Sequence, residues 1–156
     1  MRPKHLAIEL SKLDPHPCES VELEQYATEG DLAAYWMLGV DQLDDVEGKH
    51  IVDLAAGNGI LGLATLIIGA AHVTLVEADD QAVMAAETNI QRTTVRHQGT
   101  VTLIHAKIGT DEVVIDRPVD LVVMNPPWGV QTARADRPLL EYAFSLGAKA
   151  VHVLHS

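Results

Sequence analysis

At 156 residues the chain has room for one compact α/β unit and too little for two. A hydrophobic share of 47% excludes wholesale disorder, and no apolar run is long enough to span a membrane. The net charge of −11 opposes a direct grip on nucleic acid by this chain alone, because phosphate binding needs a basic surface.

The opening residues, Met1-Arg2-Pro3-Lys4-His5, lead into an amphipathic stretch rather than a signal peptide, so a cytoplasmic protein is expected. Leu6, Ile8, Leu10 and Leu13 predict a short helix over 3–13. Asp14-Pro15-His16-Pro17 breaks it, since proline disfavours helix at the residue before it. Residues 23–28 read as a loop. Asp31 is placed to cap a helix through Gly39. A strand is expected over 50–55, followed by the glycine loop Ala56-Gly57-Asn58-Gly59 and a helix over 60–68. Strands over 72–78, 100–106, 119–125 and 150–155 follow. Helices separate them, from Asp79 or Asp80 through Ile90 and from Arg137 to about Leu146, the latter stopped by Gly147. Strands alternating with helices, several of them continuous apolar runs, predict a mostly parallel sheet covered on both faces. The expected fold is a Rossmann-like α/β unit over 1–156, with a helical cap at 1–47 and a core at 48–156. The fifth strand is expected at a sheet edge, where either a partner covers it or the sequence is a truncated form of a longer protein. The lone Cys18 has no partner, no Cys/His cluster suggests metal, and the eight histidines read as surface or strand-end residues.

Two stretches carry chemistry. In the first, Asp53 precedes the glycine loop and Glu77 ends the next strand. Glycines at a strand-to-helix turn admit a ligand close to the backbone. Asp53 could face a cationic ligand, and a carboxylate at Glu77 could accept both hydroxyls of a ribose. Gly57-x-Gly59-x-x-Gly62 also fits a dinucleotide fingerprint, which leaves an NAD-dependent enzyme as a competing reading.

The second stretch, Asn125-Pro126-Pro127-Trp128, follows a buried strand at the carboxyl end of the sheet. The Asn125 side-chain oxygen and the Pro126 carbonyl can accept the two N–H groups of a planar amino group. The prolines fix φ and hold those acceptors still. Trp128 offers a ring on which a base can stack. Accepting from both N–H groups localises the nitrogen lone pair, so the amine can attack a methyl in line once positioned.

Together the two stretches resemble the N6-adenine and amide-nitrogen class of methyltransferases. Leu23-Glu24-Gln25-Tyr26-Ala27-Thr28, Asn125-Pro126-Pro127-Trp128-Gly129 and Ala150-Val151-His152-Val153-Leu154-His155 further resemble the methyltransferase-like protein 5 family, including its archaeal members. The resemblance covers nearly the whole chain. It implies S-adenosylmethionine as methyl donor, S-adenosylhomocysteine as product and adenosine N6 in small-subunit ribosomal RNA as acceptor. It implies that Gln25 and Thr28, with Tyr26 beside them, close over the cofactor. Asp53, Ala55, Gly57, Asn58 and Gly59 would hold its methionine portion, Glu77 its ribose, and Asn125 to Trp128 the target adenine, with Asn125 touching the cofactor as well. It also implies a small zinc-binding activator along the edge strand at 100–106. The chain departs from the family's usual Asp-Leu-Gly-Cys-Gly at Ala55 and Ala56, and has Lys107 where the family commonly has an Asp near the cofactor adenine. A protein glutamine amide as acceptor, or a cofactor-binding scaffold without turnover, are the alternatives.

Overall fold

The computed structural model describes residues 1–17, 30–126 and 137–154. The elements in chain order are α1 (Pro3–Ser11), α2 (Gly30–Asp44), β1 (His50–Leu54), α3 (Ile60–Ile68), β2 (His72–Glu77), α4 (Asp80–Thr94), β3 (Thr100–His105), β4 (Leu121–Met124), α5 (Arg137–Ser145) and β5 (Ala150–Val153). All strands pair in parallel, in the order β3-β2-β1-β4-β5. This is the expected α/β architecture, with β1 in the middle and β3 and β5 at the edges of the described sheet. The chain order reverses between β1 and β4, and open α/β sheets bind their ligands at such a reversal. No helix among the described residues is long and apolar enough to cross a membrane.

The sheet separates two apolar layers. On one face Ile51, Val73, Leu75, Leu121 and Val123 pack with Leu6, Leu10, Met37 and the whole of α3. On the other, Val52, Leu54, Val76, Val122 and Met124 meet Leu139 and Ala143 of α5. The alternation along β1 and β4 is the period-2 pattern of a sheet buried on both sides. Residues 60–67 of α3 are all buried, which explains why this helix is apolar on every side.

Two helices run further than the sequence predicts. Gly39 does not end α2, because Val40 beyond it is buried and that burial offsets a glycine cost of about 1 kcal/mol. The helix stops instead where Asp41 accepts from the Val46 N–H at 2.9 Å and the Lys49 ammonium donates to the Asp44 and Asp45 carbonyls. Asp31 lies inside the first turn of α2 rather than at its cap. Helix α4 continues past Ile90 to Thr94, with Asn89 and Thr93 buried. Its start is the expected one, for the Asp79 side chain accepts from the Ala82 N–H at 2.9 Å.

His50 and His72 do begin strands, but they are buried rather than on the surface. Pro118 O accepts from His50 Nδ1 at 2.8 Å, which makes Nε2 the acceptor for Thr74 Oγ1, also at 2.8 Å. His72 lies between Thr100 and Thr102. This polar ladder satisfies the amino ends of the strands, opposite the end that carries the site.

Gly62, the third glycine of the fingerprint, is a packing residue. A Cβ there would lie 2.9 Å from Val73 Cγ1 and 3.3 Å from Asp53 Cβ, with Leu75 Cδ2 closer still. The helix touches the sheet through its bare backbone. Gly62→Ala is expected to destabilise the chain by about 1–3 kcal/mol in urea unfolding. An unchanged midpoint would show that α3 can lift from the sheet at no cost.

Candidate cofactor and acceptor site

The chain leaves β1 through a turn at residues 55–59. Ala55 takes a left-handed φ of 56°, as do Gly57 at 59° and Gly59 at 86°. A residue with a Cβ is strained there by about 1–2 kcal/mol. The exchange of glycine for alanine at 55 is therefore more costly than the sequence suggests, and Ala55 is held by its surroundings.

Asp53 is 1% exposed. Its Oδ2 accepts from the Gly62 N–H at 2.9 Å, joining β1 to the first turn of α3. Its Oδ1 is buried with no hydrogen-bond partner among the described residues. Burial, reinforced by the nearby Glu77 charge, raises the Asp53 carboxyl to about 7, against the pull of the Gly62 bond. An acceptor left unmatched at the mouth of a strand-to-helix turn fits a cationic ligand, which is the chemistry of a sulfonium amino acid.

Glu77 ends β2 as expected. Its Oε1 accepts from the Gly57 N–H at 2.7 Å, and its Oε2 accepts from the Ala78 and Asp79 N–H groups at 3.0 and 2.8 Å. A carboxylate offers about four acceptor positions, so these three contacts fix its orientation and leave one for a ribose hydroxyl. The residues present thus fit the nucleoside as well as the charged end of S-adenosylmethionine.

Asn58 turns inward. Its Nδ2 donates to the Asp14 carbonyl at 2.8 Å and its Oδ1 accepts from the Ile60 N–H at 3.3 Å. Asn89, fully buried on α4, completes the junction. Its Nδ2 donates to the Asp14 and Asn58 carbonyls, both at 3.0 Å, and its Oδ1 accepts from the Asp14 N–H at 2.7 Å. Arg92 Nη1 meets the Asp14 carboxylate at 2.7 Å. The segment after α1 is thereby fastened across the glycine loop, and His16 comes to rest on Gly57. Sequence reasoning passed over Asp14, His16 and Asn89 because the first two read only as a helix break. A histidine enclosed by two prolines was the available signal.

Asn125 and Pro126 follow β4 at the carboxyl end of the sheet, with Asn125 half-buried and Pro126 buried. Register pairs Leu54 with Met124, so they leave the sheet beside the glycine loop. Pro127, Trp128, Gln25, Tyr26 and Thr28 lie outside the described residues. At the third strand's end, the Lys107 N–H donates to Asp111 Oδ2 at 2.8 Å, an exposed turn contact at the position where the chain departs from the family.

The raised Asp53 carboxyl has a consequence for stability. A group whose folded value lies above its ordinary 3.8 stabilises the fold while protonated and loses that contribution as pH rises through about 7. Asp53→Asn keeps an oxygen for Gly62 and removes the buried charge. Relative to the parent, the variant is expected to gain on the order of 1 kcal/mol or more between pH 5 and pH 8 in urea unfolding. A difference independent of pH would mean that Asp53 is not the titrating group.

A family model for the methyltransferase small domain matches residues 30–154. The chain is similar to the rRNA N(6)-adenosine-methyltransferase Mettl5 of Drosophila melanogaster, at 32% identity over 94% of this chain and 68% of the fly protein. It is similar to METTL5 of Danio rerio at 26% identity, over 99% of this chain and 74% of that one. A crystal structure from Pyrococcus horikoshii, provisionally assigned as an RNA methyltransferase, superposes with a TM-score of 0.82 at 37% identity, over 98% of this chain and 72% of that one. These matches set aside the dinucleotide reading; the packing of Gly62 against the sheet would suit either fingerprint. The chain belongs to the methyltransferase small domain family and, within it, to the group of the METTL5 rRNA N6-adenosine methyltransferases.

Proposed function

We propose that this chain transfers a methyl group from S-adenosylmethionine to the N6 amino group of an adenosine in ribosomal RNA, that of the small subunit. The observation that carries this reading is the position of Asn125-Pro126 at the end of β4, one strand from the glycine loop and its unmatched Asp53 oxygen. Family membership over nearly the whole chain supports the same acceptor. The bound cofactor supplies an electrophilic methyl on sulfur. Asp53 Oδ1 receives the ammonium group, the free acceptor position of Glu77 takes a ribose hydroxyl, and Ala55, Gly57, Asn58 and Gly59 line the methionine portion. Gln25, Tyr26 and Thr28, within the 1–47 cap, cover it.

At the acceptor, Asn125 Oδ1 and the Pro126 carbonyl accept the two amino protons, Pro127 keeps that turn rigid, and Trp128 stacks on the base. These contacts orient the nitrogen lone pair, and positioning supplies much of the acceleration. No strong base is needed before transfer, because the nitrogen becomes acidic only once methylated. The adenosine is unpaired or flipped out of a duplex.

The charge of −11 requires that cations for the RNA backbone come from elsewhere. We infer a basic or zinc-binding partner added as a strand along β3, an edge of the described sheet whose residues are half-buried or exposed. The expected setting is the cytoplasm.

Asn125→Ala is expected to lower kcat by roughly 10²–10³, with the Kd for S-adenosylhomocysteine within a few-fold of the parent. Trp128→Ala is expected to weaken RNA binding by about 1–3 kcal/mol. Both are read by transfer of labelled methyl to ribosomal RNA, with calorimetry for the cofactor. Full turnover by Asn125→Ala would remove the amino clamp from the mechanism. Methylation of a protein amide in place of RNA would change the acceptor.

A further inference from the structure

The missing side chain at Gly57 is matched by a side chain from elsewhere. A Cβ on Gly57 would lie 2.8 Å from His16 Nε2, with His16 Cδ2 closer still. The imidazole therefore rests its Cδ2–Nε2 edge directly on the glycine loop. The opposite edge carries Nδ1, which is buried and has no hydrogen-bond partner among the described residues. Asp53 Oδ1 is the other such atom, so both unmatched buried side-chain atoms belong to the surroundings of one turn. The Glu77 and Asp79 carboxylates lie close enough to act on the charge of His16, and Glu77 is itself bonded to the Gly57 N–H. His16, Gly57 and Glu77 thus form one group around the turn.

The placement is not incidental packing of a loose segment. Asp14, two residues earlier, is held by Asn58, Asn89 and Arg92. Burial also favours the neutral imidazole, against the attraction of the two carboxylates. A neutral imidazole has one donor and one acceptor nitrogen, and a hydroxyl can satisfy either tautomer at Nδ1. A ribose offers two adjacent hydroxyls, and Glu77 has one acceptor position left.

We propose that His16 is a further cofactor-binding residue, which hydrogen-bonds a ribose hydroxyl of S-adenosylmethionine through Nδ1 while Glu77 takes the other. The proposal rests on the cofactor reading given above. It assigns the segment between α1 and residue 18 a part in nucleoside recognition.

The test is calorimetric titration of the full chain with S-adenosylhomocysteine and with its 2′,3′-dideoxy analogue, for the parent, His16→Phe and His16→Asn. His16→Phe is expected to weaken S-adenosylhomocysteine about 2- to 12-fold, the range of one lost hydrogen bond, and to leave the dideoxy analogue unchanged. His16→Asn, whose amide oxygen lies near the place of Nδ1, is expected to recover part of the loss. Equal binding by His16→Phe, or an equal loss for both ligands, would overturn the proposal by making His16 a spacer. Tighter binding would overturn it by showing that the ring obstructs the ligand. Absence of binding by the parent would refute the cofactor reading and His16 with it. Thermal melting of each variant separates loss of affinity from loss of fold.

Discussion

Everything in this molecule is arranged around the exit of the central strand. Between Leu54 and Ile60 the chain must leave the sheet, reverse and enter a helix that lies against the same sheet. The bond from the Gly62 N–H to Asp53 holds that reversal, and the absence of a side chain at Gly62 lets α3 settle onto β2. Glu77 holds the turn from the other side through the Gly57 N–H. Two carboxylates from adjacent strands therefore clasp one loop, and their charges repel across it.

That arrangement costs stability. Asp53 is buried with one oxygen unmatched, and Ala55 stands in a backbone conformation that suits glycine. Each feature raises the free energy of the fold, and a positively charged ligand beside Asp53 would offset the first. Such concentrations of strain are typical of functional turns and are maintained by the rigidity of their surroundings. Here the surroundings are the buried α3 helix and the Asn58–Asp14–Asn89 junction.

Much of the fold was legible because the periodicities are unambiguous. The apolar run at residues 121–124 and the β-branched stretch that leads from His50 into the glycine loop read as strands, and Asp79 and Gly147 punctuate their helices as local chemistry requires. The ends of α2 and α4 were less legible. Gly39 is a local stop signal that the burial of Val40 overrides, and that burial depends on residues distant in sequence. For the site, Asp53 and Glu77 could be read from their positions at strand ends. The inward turn of Asn58 and the seat of His16 could not, because both depend on Asn89, an uncharged residue within a helix that carries no motif of its own.

The pairing of β1 with β4 has a consequence for how such a fold can diversify. The glycine loop and the Asn125-Pro126 turn emerge from neighbouring strands whose separation is fixed by backbone hydrogen bonds at about 4.8 Å. The spacing between the two turns is thus a lattice constant of the sheet rather than a product of loop design. Substitutions after Pro126 leave that spacing unchanged. Such a fold can change what one turn recognises without moving that turn relative to the other.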